Sequence, residues 1–244
     1  MLHTRGLEAL PHSANELAYL LKRYAKDSEL LSAPFALAKR RSELFPFVGT
    51  DLVVEGFPRS ANTYVLHALK WSNPEFKYAS HLHACGPIRH AAKKNMPMLV
   101  LIREPRSAVV SLAIRENIRL DYCFYWYLKF YKCVEQHRRS LVLADFATVT
   151  RELEPLYKEL RRTFGLQLRQ APKELSELAE VKKMVVYSHR RTFRGTVDPL
   201  RVGVPTEEKR NAVPEFERQI GQSQRLSELL KVCNHLYERL APDL

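Results

Sequence analysis

A chain of 244 residues, of which 45% are apolar, is long enough for one sizeable hydrophobic core, and we expect a single domain over residues 1–244. The net charge of +12 favours acidic partners, and a nucleotide, an anionic glycan, nucleic acid and a membrane surface are all candidates. The four cysteines lack C-x-x-C spacing, which argues against a zinc ribbon and a disulfide scaffold. No apolar run approaches the roughly 20 residues that span a bilayer, which argues against a membrane span. From these two observations we expect a cytoplasmic protein.

The first 50 residues are predicted to form a helical cover. Helix-forming residues with helical apolar spacing run from 13 to 39, which predicts one or two helices. The basic residues of this segment are interpreted as a solvated face rather than a binding site.

Strand and helix patterns alternate through residues 51–165, which we take as the core of the domain. Apolar, strand-like segments are predicted at 51–57, 76–80, 98–102 and 140–146. Helices are predicted at 63–71, 88–94, from 105 onward, at 122–136 and at 149–164, and the aromatic residues of 122–136 are assigned to core packing. This alternation predicts an α/β fold in which helices flank a parallel sheet with right-handed crossovers, so that the loops after the strands open on one edge.

Residues 166–244 are predicted to be a helical C-terminal part. Helical segments at 172–184, 207–220 and 223–240 surround a basic loop at 186–205. The extra helices at both termini would pack on the core of the domain.

A loop of small, hydrogen-bonding residues joins the first predicted strand to the first core helix. It reads F-P-R-S-A-N-T-Y over residues 57–64. Unpaired amides at a helix N-terminus favour phosphate or sulfate, and Arg59 adds a guanidinium with several donors. The alternative is an ordinary strand-to-helix turn in which Ser60 or Asn62 caps the helix.

A second strand-loop-helix unit follows some forty residues later and has its own basic residues. Arg103 ends the strand, Pro105 suits the first turn of a helix, and Ser111 lies two turns into that helix. Arg103 and Ser111 can converge on one phosphate, since the guanidinium gives bidentate contacts and the hydroxyl one more.

The two units together resemble the sulfotransferase family that uses 3′-phosphoadenosine 5′-phosphosulfate (PAPS), and the resemblance covers residues 51–165. The first loop is similar to the family's 5′-phosphosulfate loop Y-P-[KR]-S-G-[TN]-T-W, and the second to its 3′-phosphate motif R-[ND]-P-x-D-x-x-x-S. Ala61, Tyr64, Glu104 and Ser107 depart from those patterns. The resemblance implies a P-loop-like sulfotransferase fold, PAPS as donor and no metal. It also implies these donor-binding residues: Arg59, Ser60, Ala61, Asn62, Thr63, Tyr64, Arg103, Ser111 and, in the segment that closes over the nucleotide, Arg194 and Gly195.

Catalysis would need a base for the acceptor hydroxyl and a cation for the leaving phosphate. Ser80-His81-Leu82 is similar to the family's [TS]-H-L segment, so His81 is the candidate base. His83, two residues on, is the alternative and would point oppositely if the strand continued. Arg59 is the second catalytic candidate, because it replaces the family's common lysine and suits the charge that develops on the leaving phosphate. The expected acceptor is a small molecule or a glycan that offers a hydroxyl or an amine.

Two other functions are compatible with parts of this pattern. A P-loop kinase or nucleotide triphosphatase would share the fold, but the chain lacks the Gly-Lys-Ser/Thr end of that loop. A relative that binds nucleotide without catalysis would not require His81. No recognised nucleic-acid motif accompanies the positive charge, so nucleic acid is not an expected partner.

Overall fold

The computed structural model describes residues 14–192, 198–200, 202 and 206–241. Its sheet has four parallel strands in the order β2-β1-β3-β4. The strands are β1 Leu52–Gly56, β2 Tyr78–Ser80, β3 Met98–Ile102 and β4 Val142–Asp145. The α/β fold with a parallel sheet flanked by helices, predicted from the alternating pattern, is therefore confirmed.

Helices in the described residues precede, connect and follow the strands. They are α1 Ala14–Asp27, α2 Ser32–Ala38, α3 Asn62–Ser72, α4 Cys85–Lys93, α5 Pro105–Glu116, α6 Leu120–Gln136, α7 Phe146–Arg151, α8 Glu154–Phe164, α9 Leu175–Thr192, α10 Glu207–Gln222 and α11 Gln224–Leu240. α1 and α2 lie before the sheet in the chain and α9 to α11 after it, as the helical patterns at the two ends predict.

Each face of the sheet is buried by a different set of helices. Val53 and Val100 belong to a core formed with α4, α5, α6 and α11, whereas Val54 and Leu101 belong to a core formed with α3, α8 and α9. This alternation follows from the two-residue period of a strand. Four aromatic residues of α6, Phe124, Tyr127, Phe130 and Tyr131, are buried in the first core, and Trp126 packs against it. The assignment to core packing is confirmed for these five, whereas Tyr122 and Tyr125 do not belong to that core.

Two predicted boundaries differ from the structure. The helix predicted over 149–164 is divided into α7 and α8, with Glu152 extended (φ −148°) between them and Pro155 in the first turn of α8. Pro155 has no N–H to donate to the Arg151 carbonyl, and its ring would clash with that carbonyl in a continuous helix. In addition, α9 continues to Thr192, so the first part of the basic segment predicted as a loop over 186–205 is helical.

The topology brings the predicted functional loops together. β1 lies between β2 and β3, and all three strands run in the same direction. The segments that begin with Phe57, His81 and Arg103 follow the carboxyl ends of these three strands. They therefore lie side by side at one edge of the sheet, the usual ligand edge of an open α/β fold.

Candidate active site

The loop between β1 and α3 contains two residues with left-handed backbone. Arg59 has φ 75° and Ala61 has φ 65°, and Ala61 is the N-cap of α3. No side chain caps this helix, since Asn62 instead donates from Nδ2 to the Phe57 carbonyl at 2.9 Å. Capping by Ser60 or Asn62, the alternative interpretation of the loop, is therefore not what the structure has. Ala61 stands at the family's glycine position and adopts the conformation that a glycine would favour.

The start of this loop packs closely against β3. A Cβ on Gly56 would lie 2.4 Å from Asn62 Oδ1 and 2.6 Å from the Leu101 carbonyl oxygen, so a larger residue cannot be accommodated there without movement of the chain. Ser60 is fully buried, with its hydroxyl 3.5 Å from that of Tyr131. The loop is thus fixed by the core beneath it.

The second loop is joined directly to the first. Arg103 donates from Nη1 to the Arg59 carbonyl at 2.8 Å and from Nε to Ser107 Oγ at 3.0 Å, and its guanidinium lies 4.2 Å from the centre of the Phe146 ring. Glu104 caps α5 by accepting hydrogen bonds from the amides of residues 106 and 107. The departures of this motif at positions 104 and 107 therefore have local structural roles.

Ser111 lies against the first loop rather than against Arg103. Arg59 donates from Nε to Ser111 Oγ at 2.9 Å. Arg103 and Ser111, predicted to converge on one phosphate, are therefore linked through Arg59, which contacts both. The structure brings these three predicted donor-binding residues together.

An excess of positive charge surrounds Arg59. Burial, together with the charges of Arg115 and Arg103, lowers the pKa of Arg59 to about 9. Arg115 was missed by the sequence analysis, although it lies one helical turn beyond Ser111 on α5 and its spacing could have indicated it. Its Nε is 3.1 Å from Glu116 Oε1. A group of cations with so little acidic compensation favours an anionic ligand.

A cleft of about 400 Å³ opens beside these loops. Its lining combines residues of α1, the first loop, the segment after β2, α5, α6 and α9. Thr63, His81, His83, Ser188 and His189 are among the lining residues. Of the predicted residues, Arg59, Thr63 and His81 therefore share this cleft, and Ser188 and His189 near the end of α9 join them without having been predicted.

The two histidines after β2 lie close together on the cleft wall. β2 ends at Ser80, and both His81 (φ 77°) and His83 (φ 54°) have left-handed backbone. Their rings stack with centroids 5.5 Å apart, so the opposite orientation expected of a continued strand does not arise. Each non-glycine residue in this region of φ costs about 1–3 kcal/mol and persists only where its surroundings hold it.

Hydrogen bonds of the ring nitrogens distinguish the two histidines. His83 Nδ1 is 2.8 Å from the Gly56 carbonyl oxygen, which can only accept, so Nδ1 carries the proton and Nε2 has the free lone pair. His81 Nδ1 is 2.8 Å from the Ser80 hydroxyl, which allows either tautomer. Burial and then the charge of Arg41 lower the pKa of His81 to about 3, and burial and His81 lower the pKa of His83. Both rings are therefore neutral near pH 7, the form that a base requires.

A buried carboxyl group holds the histidine segment in place. Glu55 on β1 is fully buried, and its two oxygens accept the backbone N–H groups of Leu82 at 3.1 Å and His83 at 2.7 Å. Arg23 of α1 donates to the His83 carbonyl. Burial raises the pKa of Glu55 to about 8, although both backbone hydrogen bonds act against this rise. Sequence reasoning missed Glu55, and its one signal was an acidic residue inside an otherwise apolar strand.

The remaining predicted residues lie elsewhere. Tyr64 packs against the hydrophobic core that the sheet forms with α3, α8 and α9. It also lines a different cavity, of about 340 Å³, next to α7 and α8. Arg194 and Gly195 lie outside the described residues. Within the described part of the chain, no group of three or more His, Cys, Asp or Glu side chains is placed to hold a metal ion. Among the same residues, no helix has both the length and the apolar character needed to cross a bilayer.

The similarity of this chain to known proteins lies in its structure and not in its sequence. No protein-family model matches the chain, and no curated protein matches it either. Among solved structures, mouse sulfotransferase SULT7A1 complexed with PAP is similar at 12% sequence identity and a TM-score of 0.40, with 77% of this chain and 90% of that chain covered. A likeness of this degree assigns neither a ligand nor a residue role to the chain.

Proposed function

We propose that this protein is a sulfotransferase that moves the sulfuryl group of PAPS to a hydroxyl or amine acceptor by in-line displacement. The observation that carries the proposal is the contact of Arg59 with both Arg103 and Ser111. The two motifs that resemble the donor-binding loops of the sulfotransferase family therefore meet at one point, next to a cleft lined by His81 and His83.

The residues present fit a donor with several negative charges. Burial and the charges of Arg115 and Arg103 lower the pKa of Arg59, and an anion bound between these guanidinium groups would offset their repulsion. Arg59, Ser60, Ala61, Asn62 and Thr63, with the uncapped amides of α3, would hold the 5′-phosphosulfate.

Arg103 and Ser111 would hold the 3′-phosphate, as the resemblance implies. Both side chains now bond within the protein, Arg103 to Ser107 and Ser111 to Arg59. A phosphate would take over some of these bonds as charge-assisted ones, which are the stronger kind. PAPS would supply the sulfuryl group, and no metal is part of the proposal.

The chemistry assigned to the cleft residues follows from their protonation states. His81 is neutral near pH 7 and would accept the proton of the acceptor as the nucleophile attacks. His83 has a fixed tautomer with a free Nε2 and is the alternative base. Arg59, a guanidinium with fixed donors, would neutralise the charge that develops on the leaving phosphate.

Nucleotide-dependent stability tests the proposal directly. We expect 3′-phosphoadenosine 5′-phosphate (PAP) to raise the thermal unfolding temperature more than ATP with magnesium does, since a ligand at 100 times its dissociation constant stabilises by about 2.7 kcal/mol. Equal or reversed shifts would contradict it.

Two variants locate the 3′-phosphate. Arg103→Ala and Ser111→Ala should weaken PAP binding by about tenfold or more, because charged hydrogen bonds contribute about 1.5–3 kcal/mol. Binding of adenosine 5′-phosphosulfate, which lacks that phosphate, should weaken by a smaller factor, through the lost contacts with Arg59 alone. Equal losses for both nucleotides would show that the site is wrongly assigned. Incubation of the protein with a metabolite extract and sulfur-labelled PAPS would then identify the acceptor by mass spectrometry.

A further inference from the structure

One face of α1 forms a wall of the cleft. Tyr19, Lys22, Arg23 and Lys26 all line it, and their spacing of three, four and seven residues places them on the same side of the helix. Three of these four residues are basic. This wall lies outside the two loops to which the donor is assigned.

The cleft as a whole is strongly cationic. Among its described lining residues, one is acidic, Glu116, against six that are basic: Lys22, Arg23, Lys26, Arg41, Arg59 and Arg115. The donor accounts for Arg59 in the proposed function. The charges of the other five need a separate explanation.

Three of the five have acidic partners in the protein. Arg23 lies 3.3 Å from Asp27 and also 3.7 Å from the centre of the Trp126 ring, so it holds the aromatic wall of the cleft. Arg41 lies 2.8 Å from Glu43, and Arg115 pairs with Glu116. These arginines are largely committed to internal contacts.

Lys22 and Lys26 remain. Neither forms an ion pair with another residue in the described ranges. The Lys26 ammonium lies 5.5 Å from the centre of the Phe35 ring, and burial together with the charge of Arg23 lowers its pKa to about 8. A partly buried cation without a carboxylate partner is costly, and an anion that enters the cleft would remove much of that cost.

We infer that the acceptor is an anionic hydroxyl compound, whose carboxylate, sulfate or phosphate is bound by Lys22 and Lys26 while its hydroxyl lies near the histidines. This inference rests on the proposed function, because it takes the other basic loops as the donor site. His81 and His83 line the same cleft as the two lysines, so one molecule can reach both. The specificity would come from charge rather than from the shape of an apolar pocket.

The test uses the whole chain saturated with PAP and two matched pairs of probes, glucuronate with glucose and 4-hydroxyphenylacetate with 4-hydroxyphenylacetamide. The members of each pair differ mainly in charge. Thermal unfolding is measured for the wild type, for Lys22→Met/Lys26→Met, and for the control Lys132→Met/Lys158→Met. The control removes the same charge from two exposed lysines that do not line the cleft.

We expect the anionic member of each pair to stabilise the wild type and the control more than its neutral partner does. In Lys22→Met/Lys26→Met this preference should disappear, while the PAP affinity stays within about twofold of the wild-type value. The inference is overturned if neither anion is preferred by the wild type, or if the preference survives in the cleft variant.

A different result would reassign the lysines to the donor. If the cleft variant loses about tenfold or more in PAP affinity, as Arg103→Ala should, then Lys22 and Lys26 bind the donor and the inference about the acceptor is wrong. Failure of the proposed function is recognised separately, because PAP would then stabilise the wild type no more than ATP with magnesium does.

Discussion

The two loops proposed to bind the donor (57–64 and 103–111, the donor loops) and the histidine segment (81–83) lie at the same edge of the sheet, but they are held in different ways. Arg59, Arg103 and Ser111 are joined by hydrogen bonds among themselves. Arg59 Nε donates to Ser111 Oγ at 2.9 Å, and Arg103 Nη1 donates to the Arg59 carbonyl at 2.8 Å. The histidine segment instead depends on Glu55, a residue of another strand that binds its backbone. The residues proposed to bind the donor thus also support one another, whereas the histidine segment is supported by a side chain that is not among the lining residues of the cleft.

This difference predicts different consequences of mutation in the two regions. A change in the donor loops should affect nucleotide affinity first. A change in or beneath the histidine segment should leave nucleotide affinity intact and lower the rate of the chemical step.

The largest effect is expected for His81→Ala. If His81 is the base, turnover on an alcohol acceptor should fall by about 10²- to 10⁴-fold, while PAP affinity and folding stay nearly unchanged because other residues hold the donor. The measurement is sulfuryl transfer from labelled PAPS at saturating acceptor. His83→Ala serves as the comparison. If His83→Ala is the inactive variant and His81→Ala retains turnover, the base is His83, whose Nε2 lone pair is already fixed by the Gly56 carbonyl.

A smaller loss of activity is expected for Glu55→Gln. The amide group of glutamine cannot accept on both sides, so one of the two backbone N–H groups loses its partner and the left-handed segment is less firmly held. We expect a stability loss of about 1–3 kcal/mol and a lower kcat with unchanged PAP affinity.

The control for Glu55→Gln is Glu75→Gln, which changes an exposed carboxylate paired with Arg169 and should alter neither quantity. A Glu55 variant whose PAP affinity falls in parallel with its kcat would show that the two regions are not independent. A purely structural role for Glu55 would lower stability while kcat per folded molecule stays at the wild-type value.

The two regions also differ in how far the sequence could predict them. The donor-loop residues could be proposed from the sequence because they are local, in that a strand, a short loop and a helix start are contiguous in the chain. His81 could be proposed in the same way, and its role stays a prediction. The contacts of Glu55 could not be predicted, because they arise only when β1 and β2 pair and its side chain reaches residues 27 and 28 positions away.

Predictions from periodicity succeeded where burial decides the structure. The four strands are buried nearly throughout, and all four were predicted. The division between α7 and α8 was missed, since the apolar spacing of 149–164 continues across Pro155 although the backbone cannot. The wall provided by α1 was also missed, because the same basic pattern is typical of a solvated surface.

Acid should destabilise the protein through the histidine segment. The pKa of His81 is about 3 in the folded chain, below the ordinary value of about 6.5, so the unfolded chain binds a proton that the folded chain does not between these two values. Stability is therefore present above pH 6.5 and falls as pH decreases toward 3, with a slope of at most about 1.4 kcal/mol per pH unit for this group.

Urea unfolding at pH 7.5 and pH 5 measures this effect. His81→Gln should show a smaller loss between the two pH values than the wild type, since the other titrating groups are common to both chains. An identical loss in both would show that the folded environment does not lower the pKa of His81.

The smallest expected effect concerns the backbone of the donor loop. Ala61 has left-handed geometry, which costs alanine about 1–2 kcal/mol relative to glycine, whereas glycine loses about 0.4–1 kcal/mol through the greater freedom of its unfolded chain. Ala61→Gly should therefore stabilise the protein by about 0.5–1 kcal/mol, less whatever packing its methyl group contributes against the core beside α3.

Gly165→Ala is the matched control. Gly165 has φ 66°, and a Cβ at this position would have no atom within 4 Å, so the added methyl group should lower stability through backbone strain alone. Both are measured as midpoints of urea unfolding at constant m-value. If Ala61→Gly destabilises while Gly165→Ala also does, the Ala61 methyl contributes more than the strain costs, and the loop is held by its packing rather than by the conformation that glycine would provide.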